Sequence, residues 1–282
     1  MSSVDETTGK LNILVAYPYL KPAMVEEIRA AGPSVRFVLD SGAFTAWKSG
    51  KPIALDDYCK FIEKLPIVPW RYFSLDVIGD PHASLKNYEE MLRRGFAPVP
   101  VFTRGEDPSV LDDYYKHSDV VGIGGLVGTP KNKAFVNGIM RRVRDRRVHW
   151  LGFTNIEFIK QYRPYMCDSS SWENGARYAC IRLYMGNGKI IPISKVNFQT
   201  RPDQKIIERV IALGGDPYAL ATNGAWAGNI TESRTLGGAS GVALSLDIER
   251  NLKTKMFIAL GSLLFLNILI EKHNFLQTRR EA

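Results

Sequence analysis

The chain has 282 residues, of which 45% are hydrophobic and 23% are charged, enough apolar material for one barrel-sized core. Lys and Arg outnumber Asp and Glu by 37 to 29, and the net charge of +8 favours a polyanionic partner. The three cysteines form no close pair, which argues against a disulfide framework or a zinc ribbon. Because the first ten residues lack an apolar core, no secretory signal is predicted, and we expect a cytoplasmic protein.

Short apolar runs alternate with amphipathic stretches along the first two thirds of the chain. The predicted strands cover residues 11–17, 35–39, 72–75, 97–102, 120–123, 148–153 and 165–167. The predicted helices between them cover residues 22–31, 56–65, 82–94, 110–117, 134–144 and 156–162. This rhythm is typical of a parallel α/β domain, and a (β/α)8 TIM barrel is the predicted fold.

The eighth strand is harder to locate. Residues 177–185 and 189–193 flank Gly186-Asn187-Gly188, a hairpin signal, and either run is a candidate to close the barrel. The pattern then becomes helical, with residues 204–213 followed by an apolar tract over 242–275. Within it, the fifteen residues 256–270 are short for a membrane span of about 20 residues and predict a buried helix, with no membrane partner. We therefore expect a barrel domain over 1–200 and a helical segment over 201–282 packed on it.

Three aspartates follow the ends of predicted strands. They are Asp40, Asp76 and Asp168, far apart in the sequence. In a (β/α)8 barrel the carboxyl ends of all strands meet at one mouth, so these side chains are expected to share a pocket. Paired carboxylates are the usual groups for breaking a glycosidic bond. Taken singly, each aspartate has an alternative interpretation as a helix cap or a turn residue.

Five motifs resemble the tRNA-guanine transglycosylase family in their order along the chain. The resemblance covers about residues 36–172. The motifs are Asp40-Ser41-Gly42-Ala43-Phe44, Ser74-Leu75-Asp76, Ile123-Gly124-Gly125-Leu126-Val127-Gly128, His149-Trp150-Leu151-Gly152-Phe153 and Met166-Cys167-Asp168. The closest similarity is to the DpdA-type DNA 7-deazaguanine transglycosylases of phages and bacterial DNA-modification systems, on the runs 40–45, 75–80, 105–107 and 168–172.

This resemblance implies a specific role for each motif. Asp168 would be the nucleophile, Asp40 the general acid/base, and Asp76 the group that reads the guanine edge. The other residues expected to contact substrate are Ser41, Phe44, Thr103, Gly124, Gly125, Leu151 and Phe153. The implied reaction replaces guanine in DNA, double- or single-stranded, with a free 7-deazaguanine base such as preQ0. No cofactor and no metal are implied, and a phage-encoded protein would act in the host cytoplasm.

Two departures from the family pattern favour DNA over tRNA. Family members that act on tRNA carry a Cys-x-Cys-x-x-Cys zinc site with a later His, whereas Cys180 is the sole cysteine after Asp168 here. The base-contacting glutamine of strand four is also missing, and Phe102, Thr103 and Arg104 occupy that neighbourhood. The alternatives left open are the same reaction on tRNA, a non-catalytic barrel that binds nucleic acid, and a glycosidase acting on sugars.

A basic run provides candidate phosphate contacts. It consists of Arg141, Arg142, Arg144, Arg146 and Arg147, with Lys131 and Lys133 upstream. The alternative is a solvated helix face. Glu106 and Asp107 are read as helix-capping residues rather than metal ligands, and no histidine is assigned a catalytic role. A homo-oligomer is compatible with the sequence.

Overall fold

The computed structural model describes residues 9–126, 132–171, 180–200, 202–222, 230–252, 254–261 and 266–281. Its strands are β1 (Leu11–Ala16), β2 (Val35–Asp40), β3 (Arg71–Tyr72), β4 (Val101–Phe102), β5 (Val120–Ile123), β6 (Arg147–Trp150), β7 (Met166–Ser169), β8 (Cys180–Gly186), β9 (Lys189–Ser194) and β10 (Lys255–Leu260).

Helices cover most of the intervening chain. They are α1 (Pro22–Ala31), α2 (Ala43–Ser49), α3 (Leu55–Lys64), α4 (Pro81–Arg93), α5 (Val110–His117), α6 (Asn132–Val143), α7 (Ile156–Tyr162), α8 (Lys195–Thr200), α9 (Gln204–Ala212), α10 (Pro217–Ala221), α11 (Ile230–Leu252) and α12 (Leu266–Glu281). Within the described ranges, no helix combines the length and apolar character needed to cross a membrane.

Eight of the strands form one curled parallel sheet in the order β3-β2-β1-β10-β7-β6-β5-β4. The register at the centre places Ile13 opposite Ile258, and Phe257 opposite Asp168. Because the strands are parallel, their carboxyl ends all lie at one edge of the sheet. The predicted α/β class is confirmed, and the seven predicted strands each contribute to this sheet.

β3 and β4 lie at the two ends of this strand order. Residues next to them in the sequence join the two ends of the sheet. A parallel bridge joins Phe73 to Val99. The Ser74 N–H donates to the Val99 carbonyl at 2.9 Å, and the Val99 N–H donates to the Tyr72 carbonyl at 2.8 Å. β4 itself is only two residues long, since Pro98 and Pro100 have no N–H to donate to a neighbouring strand.

One apolar cluster collects buried side chains from strands across the whole sheet. Its members are Leu14, Val38, Phe73, Val99, Val101, Val120, Met166 and Phe257. Two further clusters pack the other side chains of the strands against the surrounding helices. The sheet thus has apolar packing on both faces, as is usual for parallel sheets.

Neither of the two candidate runs for the eighth strand joins the eight-stranded sheet. β8 and β9 pair with each other in a separate antiparallel sheet, whereas β10 lies between β1 and β7. The tract 256–270, predicted as a buried helix, begins with this strand, and the segment 201–282 is accordingly not all helical. Residues 255–260 are almost all buried, and a strand buried on both faces has the same unbroken apolar sequence as a buried helix.

Candidate active site

The three aspartates lie at the carboxyl edge of the sheet. Asp40 is the last residue of β2, Asp168 is the third of the four residues of β7, and Asp76 follows β3. The charges of both Asp76 and Asp168 act on the carboxyl group of Asp40. The structure therefore brings together three carboxylates that are separated by 36 and 92 residues in the sequence.

The pKa of Asp40 is raised further than that of Asp76. Burial, followed by the charges of Asp76 and Asp168, raises the pKa of Asp40 from 3.8 to about 7. The Gly42 N–H donates to Asp40 Oδ2 at 3.0 Å and partly opposes this effect. A carboxyl group with a pKa near 7 exchanges protons readily at neutral pH, as a general acid/base must.

Asp76 lies in a different environment. Burial raises the pKa of Asp76 to about 6, and the charge of Glu106 adds to the effect. The Ser41 hydroxyl donates to Asp76 Oδ1 at 3.0 Å and favours the ionised form. Ser41 is fully buried, so it orients Asp76. At neutral pH the Asp76 carboxylate is mostly ionised and can accept N–H donors.

Asp168 is held rigidly by two donors on the same oxygen. His149 Nε2 and the Gly152 N–H each lie 2.9 Å from Asp168 Oδ1. Since a carboxylate only accepts hydrogen bonds, Nε2 carries the proton in this contact. His149 Nδ1 is buried, with no hydrogen-bond partner among the described residues. These two bonds hold Oδ1 in place, and neither of them involves Oδ2.

Sequence reasoning missed His149. The ring is fully buried and lies edge-on to Phe73, with centroids 5.0 Å apart. A signal was available, because His149 lies on β6 two residues before Leu151, which directly follows the strand. Alternating residues of a strand share one face, and Leu151 packs against the same apolar cluster as Phe73.

Gly124 and Gly125, the two glycines that follow β5, have different environments. The Gly124 N–H donates to the Phe102 carbonyl at 2.9 Å, which commits it to the sheet. Gly125 is exposed and has φ +68°, a conformation that side chains disfavour. A Cβ on Gly125 would lie 3.3 Å from the Cβ of Arg104. Of the two predicted contacts, Gly124 is buried and Gly125 is exposed.

Thr103, the predicted substrate contact after β4, lies in a turn that Glu106 holds. The Thr103 N–H and the Tyr114 hydroxyl both donate to the carboxylate of Glu106, which fastens the turn after β4. Asp107 accepts the N–H of Ser109 at 2.8 Å, but Ser109 is itself the N-cap residue of α5, so neither Glu106 nor Asp107 caps this helix as predicted. Within the described residues, no group of three or more His, Cys, Asp or Glu side chains is arranged to hold a metal ion.

Phe44, Leu151 and Phe153, three of the predicted substrate contacts, lie in different surroundings. Phe44 is exposed on the first turn of α2, directly after the Asp40 loop. Leu151 packs against the cluster inside the sheet. Phe153 instead contacts Trp150 and Phe158, with centroids 5.4 and 5.6 Å away, in the cluster that faces the helices. Of Leu151 and Phe153, Leu151 is therefore the one that packs with Phe73, the residue that the His149 ring contacts.

The basic run lies at the other end of the strands. Arg141 and Arg142 are in the last turn of α6, and Arg147 is the first residue of β6, whereas the aspartates are at or after the carboxyl ends of strands. Arg142 and Arg146 both pair with Asp112, and Arg147 pairs with Asp119. The structure therefore does not bring these arginines to the carboxylates, and Arg144 is exposed beside them. A run of arginines carries no signal for the end of the sheet at which it lies.

Four residues named in the sequence motifs lie outside the described residues: Val127, Gly128, Lys131 and Trp172. Comparison of the chain with protein-family models and with curated proteins gives no match. The family resemblance thus rests on the motifs themselves.

Proposed function

We propose that this protein is a guanine transglycosylase that exchanges guanine in DNA for a 7-deazaguanine base. The observation that carries the proposal is the group of three carboxyl side chains at one edge of the sheet, each in a different environment. Their chain order and surrounding motifs match the order in the transglycosylase family. A nucleophile, an acid/base and a base-reading carboxylate are the three groups that such an exchange requires.

The proposal includes a closed (β/α)8 barrel. The bridge between Phe73 and Val99 supports closure, because these residues flank the two edge strands β3 and β4. The apolar cluster that draws side chains from both edges supports it too. In a closed barrel the carboxyl ends of the strands form one mouth, which gives the three aspartates a common pocket.

The first step breaks the bond between the sugar and guanine. Oδ2 of Asp168 attacks C1′, and the electron pair of the C1′–N9 bond leaves with the base. Asp40 gives its proton to the departing guanine. In the second step the incoming base loses a proton to Asp40 and attacks C1′ through nitrogen, which displaces the carboxylate of Asp168. Atoms and charge balance, and no redox cofactor takes part.

Recognition of the base falls to Asp76 and Gly125. The carboxylate of Asp76 accepts two N–H donors from the amidine edge of guanine, a charge-assisted contact. The Gly125 N–H faces the exocyclic oxygen. A 7-deazaguanine presents the same edge, so one pocket serves both the leaving and the incoming base. The target nucleotide must leave its stack to reach such a pocket.

The polynucleotide is proposed to be DNA because the zinc ligands of the tRNA-specific members are missing from the sequence. The test is incubation with DNA, with tRNA, and with both in competition, each with labelled preQ0. We expect label in DNA and release of one guanine for each base incorporated. Label in tRNA alone would establish the alternative substrate. Binding of DNA with no incorporation into either polynucleotide would favour the non-catalytic alternative.

A further inference from the structure

Exposed large apolar side chains collect on one side of the proposed mouth. Tyr19, Phe44, Trp47 and Ile78 are 41%, 52%, 60% and 36% exposed. They follow the ends of β1, β2 and β3, which are neighbours in the sheet. We call the three aromatic residues of this group, together with Ile78, the aromatic rim. Single exposed apolar residues are ordinary, but a group of them beside a pocket marks a binding surface.

Packing fixes two parts of the aromatic rim against each other. Gly42 precedes α2 and lies so close to Pro18 that a Cβ on it would be 2.3 Å from Pro18 Cδ. The turn that carries Tyr19 is thereby held against the start of α2. On α2 the rings of Phe44 and Trp47 have centroids 5.8 Å apart and planes tilted by 39°. Both side chains are more than half exposed, so each keeps surface that a planar group can cover.

Cations lie beside the aromatic rim. Lys21 follows the turn that carries Tyr19, Lys48 is in the last turn of α2, and Lys51 is just after it. All three are exposed. Aromatic side chains interleaved with cations are the usual surface for an unpaired nucleic-acid strand, in which bases stack and phosphates contact Lys or Arg.

We propose that the aromatic rim binds unpaired nucleotides next to the nucleotide that enters the pocket. This inference rests on the proposed function and makes it more specific: the preferred substrate is single-stranded or locally opened DNA. Trp47 is the principal stacking platform, because it is the most exposed of the four and stands beside Lys48. Stacking on any base is tolerated, so the aromatic rim adds affinity without sequence preference.

The direct test measures binding of labelled oligo(dT) by fluorescence anisotropy. This strand contains no guanine, so the pocket for the exchanged base does not contribute. A W47A variant is expected to bind at least about 5-fold more weakly, the lower end for loss of one stacked base, whereas W47F retains most of the affinity. The matched control is Y218A, which removes an aromatic side chain that is 77% exposed on α10.

The lysines are tested by the salt dependence of the same binding. Removing two phosphate contacts to a single strand reduces the slope of log K against log salt by about 1.4. K48Q/K51Q is expected to show this reduction. The control K60Q/K64Q removes two exposed charges from α3 and should leave the slope unchanged.

Three results would overturn the proposal. The first is failure of the wild-type protein to bind oligo(dT). The second is that W47A and Y218A bind oligo(dT) with equal affinity. The third is that W47A changes only the self-association of the protein, as measured by sedimentation. The outcome is separable from that of the proposed function, since D168N should bind oligo(dT) normally and exchange no base. If the wild-type protein also exchanges no base but W47A still weakens binding, the aromatic rim stands and the transglycosylase reaction does not.

Discussion

At the scale of single residues, the protonation states of two carboxyl groups set the pH dependence of exchange. Asp40 must hold a proton to release guanine, and its pKa is about 7. Asp76 must be ionised to read the base, and its pKa is about 6. We expect kcat/KM to follow a bell-shaped pH profile, with its acidic limb near pH 6 and its basic limb near pH 7. Because the carboxyl groups interact, the two values describe the group and not single residues. In D76N the acidic limb should disappear; an unchanged profile would contradict the role of Asp76.

The raised pKa of Asp40 also makes a prediction about stability. Between its ordinary value of 3.8 and about 7, the folded state keeps a proton that the unfolded chain releases. Stability therefore falls as pH rises through this window. D40N should increase the free energy of unfolding at pH 8 by about 2 kcal/mol and lose this advantage near pH 4. Denaturant titrations at both pH values check it, and a D40N protein less stable at pH 8 would refute it.

His149 is predicted to be a positioning residue. Without the Nε2–H donor, Asp168 keeps only the Gly152 N–H, and its carboxylate rotates more freely. H149F should lower kcat about 10- to 100-fold with little change in KM, since a misplaced nucleophile affects the chemical step. H149Q, which restores a donor, should recover part of kcat. Equal kcat values for the two variants at matched stability would show that His149 serves packing alone.

The positions of some of these residues could be predicted from the sequence, and those of others could not. Asp40 and Asp168 could be placed at strand ends because each follows a clear apolar run. The partner of Asp168 could not be named, because a bond between His149 and Asp168 depends on the pairing of β6 with β7 and on which face each residue takes. The environments that separate the pKa of Asp40 from that of Asp76 arise only once the chain is folded.

At the scale of elements, the turn between β2 and α2 is the most constrained. Gly42 has φ +81°, and a Cβ there would collide with Pro18. Gly50, at the other end of α2, has φ +67° and open space around it. G50A should cost about 1 kcal/mol from backbone strain alone, and G42A clearly more, about 2 to 4 kcal/mol. Chemical denaturation of the two variants checks this, and equal losses would show that the Pro18 contact yields easily.

Two elements show the limits of prediction from the sequence. α2 was not predicted, because a segment of seven residues between two glycines is too short to show a helical period. β10 was assigned to a helix, because nothing in an apolar run tells which neighbours will pair with it. The pairing of β10 with β1 and β7 joins positions more than 85 residues apart, information that local patterns do not hold.

At the scale of the whole molecule, the aspartates and the arginines of the basic run lie at opposite ends of the sheet. The carboxyl edge holds the aspartates, and the basic run lies at the opposite edge, partly paired with Asp112 and Asp119. We therefore expect R141Q/R144Q to change kcat/KM on DNA by less than about 2-fold, because contacts remote from the mouth do not position the reacting nucleotide. The variant K48Q/K51Q, in which the lysines beside the aromatic rim are replaced, is measured for comparison in the same assay. A larger loss in the arginine variant would mean that DNA reaches around the protein.

The most direct test of the account is to trap the intermediate on Asp168. The protein is mixed with a guanine-containing oligonucleotide, with no incoming base, and denatured. We predict a covalent protein–DNA adduct that peptide mass spectrometry assigns to Asp168, that added 7-deazaguanine discharges, and that D168N does not form. An adduct on another residue, or base exchange by D168N equal to that of the wild-type protein, would contradict the mechanism.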